Sequence, residues 1–132
     1  MVEDDPDDEQ LIKEALQQSE LSLTIVHKKN GIDALQYLND LKENNTTLPC
    51  IIILDINMPV LNGKQLIAIL KNEEKFKEIP IVVFTTSSNG SDKDYCDRFN
   101  VSMITKPNVM QEFNSTVLKF LDHCQTHNSK TA

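Results

Sequence analysis

The sequence predicts an α/β protein in which a five-stranded parallel sheet carries helices on both faces, and three features predict it. Short runs rich in β-branched residues alternate with amphipathic stretches of helical period along the 132 residues. Residues 50–54 are apolar without interruption, the pattern of a strand covered on both faces. The length suits one domain with one core.

The elements follow in order. Only Met1, Val2 and Glu3 precede an acidic turn, whereas a strand commonly takes about five or six residues. The first strand is therefore short at the N-terminus, and the expectation is that residues preceding Met1 complete it. Leu11, Ile12, Ala15 and Leu16 fall at helical spacing within 6–20, with Asp5 placed to cap the helix and Pro6 at its first position. Residues 23–28 read as a strand. Gly31 then opens a helix marked by Ile32, Leu35, Leu38 and Leu41.

A polar loop over 43–48 leads into the apolar strand 50–54. Pro59 and Gly63 punctuate the next loop, and Leu66, Ile67, Ile69 and Leu70 mark a helix that ends before Pro80. A strand at 81–84, a polar loop at 85–91, a weakly patterned helix to about Asn100 and a strand at 101–104 come next. A last helix covers 109–124, and the polar residues 125–132 form a frayed tail. Strands alternating with helices give parallel pairing through crossovers, and ligands of such sheets sit beyond the carboxyl ends of the strands.

Composition narrows the function. The chain has 39% hydrophobic and 25% charged residues, ordinary for a folded globular domain. Thirteen basic against 20 acidic residues leave a net charge of -7, which argues against nucleic acid or an anionic membrane surface as a partner. Cys50, Cys96 and Cys124 are odd in number and far apart, without zinc-site spacing or the density of a disulfide scaffold, and they suit a reducing, cytoplasmic location. No secretory signal opens the sequence, and no apolar run is long enough to span a bilayer.

The residues at the predicted carboxyl ends of the strands are Glu3 and Asp4, Asp55, Thr85 and Thr86, and Lys106. Three carboxylates meeting there repel by about 4 kcal/mol per pair at 4 Å and an effective dielectric near 20, so they need a cation. An all-oxygen site with room for water and phosphate oxygens points to Mg2+ rather than a fully caged Ca2+. A carboxylate in such a site can act as a nucleophile towards phosphorus, and Asp55 is the candidate. Lys106 can neutralise phosphoryl charge, and the Thr85 hydroxyl can donate to a phosphoryl oxygen. Singly these signals are weak: strand ends often carry an aspartate as a turn residue, and the acidic residues Asp5, Asp7, Asp8 and Glu9 suit a first helical turn without any metal.

Together, Val2-Glu3-Asp4-Asp5, Leu54-Asp55-Ile56-Asn57-Met58-Pro59 with Gly63, Val83-Phe84-Thr85-Thr86 and Thr105-Lys106-Pro107 resemble the motifs of a response-regulator receiver domain of two-component signalling, over roughly residues 1–124. The resemblance implies a flavodoxin-like, doubly wound sheet of order 2-1-3-4-5. It implies Asp55 as phospho-acceptor, Asp4 as direct metal ligand, Glu3 as ligand through water, the Asn57 carbonyl as a further ligand, and Thr85 and Lys106 as switch hydroxyl and phosphate-binding lysine. The bond before Pro107 is expected to be cis. The chain is then a phospho-acceptor signalling domain, not an enzyme in the usual sense, though it assists its own phosphorylation and dephosphorylation.

Its implied partners are a sensor histidine kinase or a histidine phosphotransfer protein. A homodimer through the face made by the helix ending near Asn100, the strand 101–104 and the last helix is a further expectation. Met103 stands where receivers commonly carry an aromatic residue, so an aromatic swing is not expected. The loop over 43–48 is similar to that of stand-alone, phytochrome-associated regulators.

Two rival readings come from other classes. A phosphatase or phosphomutase of this architecture commonly has a second aspartate two positions after the nucleophile, where this chain has Asn57. A flavin-binding protein is less well matched by a chain with 5% aromatic residues.

Overall fold

A computed structural model describes residues 1–3, 6, 7, 10, 13, 14, 26–56, 61–85, 90–105 and 115. The helix predicted over 6–20 and the strand over 23–28 fall partly outside these residues. The last helix falls outside except at Ser115, and the tail 125–132 entirely so. The described elements are α1 (Gly31–Glu43), β1 (Ile52–Leu54), α2 (Gly63–Lys71), β2 (Ile81–Thr85), α3 (Gly90–Arg98) and β3 (Ser102–Thr105).

The three strands form a parallel sheet in the order β1-β2-β3. Leu54 lies opposite Val83, and Val83 opposite Met103. Every residue of β1 and β2 is buried, as strands covered on both faces must be. On the other side of β1, Val2 bridges Leu54 and Lys28 in parallel. The segment 1–3 therefore lies between β1 and residue 28, which agrees with the expected neighbours of the first strand at these points. The complete five-strand order involves residues beyond those described.

Backbone hydrogen bonds join this inserted segment to both of its neighbours. Val2 N–H donates to the Ile53 carbonyl at 2.7 Å and Asp55 N–H to the Val2 carbonyl at 3.2 Å. Glu3 N–H donates to the Lys28 carbonyl at 3.0 Å, and Lys28 N–H to the Met1 carbonyl at 2.9 Å. The Met1 amine donates to the Val26 carbonyl at 3.0 Å, and burial lowers its pKa to about 6.

Local sequence explains both longer connections. Asn30 caps α1 by accepting from Asp33 N–H at 2.9 Å. Asn62 and Gln65 form a reciprocal capping box at the start of α2, with bonds of 2.9 and 3.0 Å. Asn45, just past α1, takes a left-handed backbone, φ 53°, which asparagine tolerates better than most residues.

Several details depart from the sequence reading. Ile32 is 48% exposed, and Gly31, Ala34 and Leu38 form the buried stripe of α1 instead. Residues spaced uniformly by three drift by about 60° at each step, so Ile32, Leu35, Leu38 and Leu41 cannot share one face. Ile69 likewise stands outside the stripe of Leu66, Ile67 and Leu70 and is partly exposed. Phe76 and Ile79, in the turns after α2, are buried although no periodicity marks them. Cys96 is a buried free thiol whose pKa is raised by burial and then by Asp92. Among the described residues no helix is long and apolar enough to cross a membrane.

Candidate functional site

Of the residues assigned to the site from sequence, Glu3, Asp55 and Thr85 are described. Asp4, Asn57, Lys106 and the bond before Pro107 lie outside the described residues, as do Met58 and Thr86.

The register brings the three together. Val2, Leu54, Val83 and Met103 form one row across the sheet. Glu3 and Asp55 each follow a member of that row, on adjacent backbones about 4.8 Å apart. Equivalent positions on parallel strands turn their side chains to the same face. Glu3 is 1% exposed and Asp55 7%, so two carboxylates share one sheet edge with little access to water. An all-oxygen donor pair in this setting fits a hard divalent cation. Among the described residues no group of three or more His, Cys, Asp or Glu gathers around a common point, and half of the expected ligand set lies outside them.

Thr85 is one position further along. It ends β2, is fully buried and lies opposite Thr105, the residue that precedes Lys106. The hydroxyl thus stands at the same carboxyl edge as Asp55, on the neighbouring strand. Met103 is half-buried against the core.

The chain returns to Asp55 at Gly63. A Cβ there would stand 2.5 Å from the Asp55 carbonyl oxygen and 2.6 Å from the Ile56 Cα, so only glycine permits this approach. Gly63 N–H donates to the Ile56 carbonyl at 3.0 Å. The next residue, Lys64, anchors α3. Its carbonyl accepts the Tyr95 hydroxyl at 2.6 Å, and its ammonium pairs with the buried Asp92. Tyr95 packs against Phe99 with ring centroids 5.0 Å apart. The helix that follows the Thr85 loop is thereby tied to the first turn of the helix that follows Asp55.

Sequence reasoning missed two features beside the site. One is the bond from Tyr95 to Lys64, between residues 31 apart in the chain. The other is His27, whose Nε2 lies 2.7 Å from the Glu3 carbonyl oxygen. Its place near the end of the 23–28 strand was a signal only once that strand was set beside segment 1–3.

Buried polar groups at the carboxyl ends of parallel strands define the class of α/β proteins whose site lies beyond the sheet edge. Residues 1–118 match the response regulator receiver domain, and the chain belongs to that family: it is a signalling domain of the phosphoryl-accepting type found in two-component response regulators. It is 34% identical over 93 residues to response regulator Rcp1 of a Synechocystis strain, a match covering 70% of this chain and 63% of Rcp1. The chain thus matches less than two thirds of that relative's length. Among solved structures, the phosphorylated cyanobacterial phytochrome response regulator RcpA aligns with TM-score 0.76 and 33% identity, over 88% of this chain and 84% of RcpA. The Mn2+-bound form of Rcp1 aligns with TM-score 0.76 and 30% identity, over 88% and 85%.

Proposed function

We propose that Asp55 accepts a phosphoryl group from a phosphohistidine on a sensor histidine kinase or histidine phosphotransfer protein. The observation that carries this reading is the shared register position of Glu3 and Asp55 on adjacent backbones, with Thr85 one position beyond. A carboxylate oxygen of Asp55 attacks phosphorus, and the bond from phosphorus to the imidazole nitrogen breaks. Its electron pair stays with the imidazole, which takes up a proton. The Thr85 hydroxyl donates to a phosphoryl oxygen of the acyl phosphate, and Lys106 neutralises its charge.

Glu3, Asp4, Asp55 and the Asn57 carbonyl would hold Mg2+, which supplies charge compensation for the entering group. The Mn2+-bound form of Rcp1 supports a divalent-cation site in a relative. Phosphorylation of Asp55 adds about 1.5 to 2 negative charges beside the buried Glu3 carboxylate, drawing Thr85 and Lys106 inward. The output is a changed protein contact at the face of α3, β3 and the helix predicted over 109–124, with a partner or a second copy. Nucleic acid and membrane are not partners on this reading, consistent with the net charge of -7. The working location is the cytoplasm. Thiol counting on protein isolated with rapid alkylation checks that part directly.

The test of the central claim is incubation with a small-molecule phosphodonor and Mg2+, followed by intact-mass measurement of wild type and Asp55→Asn. One phosphate adduct on wild type and none on the variant is the expected result. A wild type that gains no adduct, or a variant that keeps it, overturns the assignment.

A further inference from the structure

We infer that the Tyr95 hydroxyl is a restraint on the switch: it ties α3 to the first turn of α2, and a displacement of α3 releases it. The inference rests on the reading above, in which phosphorylation of Asp55 changes the face that includes α3. One end of the restraint is fixed to the phospho-acceptor. A Cβ at Gly63 would stand 2.5 Å from the Asp55 carbonyl oxygen and 2.6 Å from the Ile56 Cα, and Gly63 N–H donates to the Ile56 carbonyl at 3.0 Å. Lys64, the next residue, is thereby held in place relative to Asp55. The other end is α3. Tyr95 donates to the Lys64 carbonyl at 2.6 Å, and Asp92 pairs with the Lys64 ammonium. Residues three apart on a helix share a face, so one side of α3 grips a single residue of α2 by its backbone and by its side chain. The Lys64 ammonium and the Arg98 guanidinium lie 5.5 and 5.3 Å from the centroid of the Tyr95 ring. These cations and Phe99 keep the ring, and so its hydroxyl, in position.

The two helices differ in how they are held. Leu66, Ile67 and Leu70 seat α2 in the core, whereas the buried residues of α3 are Asp92 and Cys96. A helix with little apolar burial depends more on individual bonds and shifts more readily. α3 also begins at Gly90, five positions after Thr85, so it is the element next in the chain to the switch hydroxyl. Moving α3 away from α2 breaks the Tyr95 bond, and one net hydrogen bond is worth about 5-fold in an equilibrium constant. Coupling is reciprocal. If a phosphoryl group at Asp55 favours displaced α3, then removing the restraint strengthens binding of a phosphoryl group by that same factor.

The experiment titrates the full chain with beryllofluoride, a phosphoryl analogue, in the presence of Mg2+. Isothermal titration calorimetry gives the affinity, and amide hydrogen exchange reports on α3, for wild type, Tyr95→Phe and Ile79→Val. Phenylalanine keeps the ring and all nearby charges, so the variant isolates the hydroxyl. Ile79→Val trims a buried residue in the turns after α2 and serves as a control of comparable stability loss. Expected are faster exchange in α3 of the wild type on binding beryllofluoride, about 5-fold tighter binding by Tyr95→Phe and wild-type affinity in Ile79→Val. A merely structural hydroxyl gives equal or weaker binding in Tyr95→Phe, and either result overturns the inference. Equal tightening in both variants overturns it too, as does α3 exchange in the wild type that does not respond to beryllofluoride. A wild type that binds no beryllofluoride removes the phospho-acceptor reading itself, whereas equal binding by wild type and Tyr95→Phe removes only the restraint.

Discussion

The two sides of the site are held by different means. Thr85 ends a strand paired on both sides, in register with β1 and β3, and it is buried with the core. Among the described residues, Glu3 belongs to a segment whose strand pairing consists of isolated bridges at Val2, with backbone bonds at Met1 and Glu3 beside them. The core positions the hydroxyl side, whereas individual hydrogen bonds position the carboxylate side. Among the described residues, the segment 1–3 is joined to its neighbours by the Met1 nitrogen, by His27 and by four backbone hydrogen bonds.

The largest expected effect comes from breaking the rigid side. Leu66, fully buried in α2 among core residues, leaves a cavity in Leu66→Ala that lowers stability by about 3 kcal/mol. Urea unfolding checks this, and a loss below about 1 kcal/mol means that the ladder is not supported as described.

The next tests the weak side through pH. The Met1 amine has its folded pKa lowered from 8.0 to about 6. Between those values the unfolded chain binds more protons than the folded one, so stability rises with pH across this window. From pH 8 to pH 6 this group alone lowers stability by about 2 kcal/mol. A chain extended before Met1 carries an amide in place of the amine and lacks this component. Comparing the two pH profiles isolates it, and coincident profiles refute the buried amine.

The smallest effect sharpens the link between the two sides. Tyr95→Phe removes the hydroxyl that bonds the Lys64 carbonyl, costing about 1 kcal/mol. Hydrogen exchange should show the loosening at α3 more than in β1 or β2. Uniform loosening across the chain means that the hydroxyl is not a local anchor.

Much of the frame was readable beforehand because it is encoded locally. Leu66, Ile67 and Leu70 announce α2, and the unbroken apolar run that ends at Leu54 announces a strand buried on both faces. Asp55 and Thr85 were identified because each ends such a strand. Ile32 and Ile69 misled because an apolar residue shows an available face, not an occupied one. Phe76 and Ile79 were passed over because turns have no period, and a turn residue is buried only if another element lies over it.

By itself the sequence determined the alternation of strand and helix and the order of polar residues at the strand ends, since both depend on neighbours a few positions apart. Only the tertiary structure decided that Glu3 and Asp55 share a row, that His27 Nε2 meets the Glu3 carbonyl oxygen, and that Tyr95 reaches Lys64. Those relations join residues 24 to 52 positions apart in two cases and 31 in the third. Hydrogen bonding and burial act over a few ångströms in space, and only the packed sheet brings such positions together.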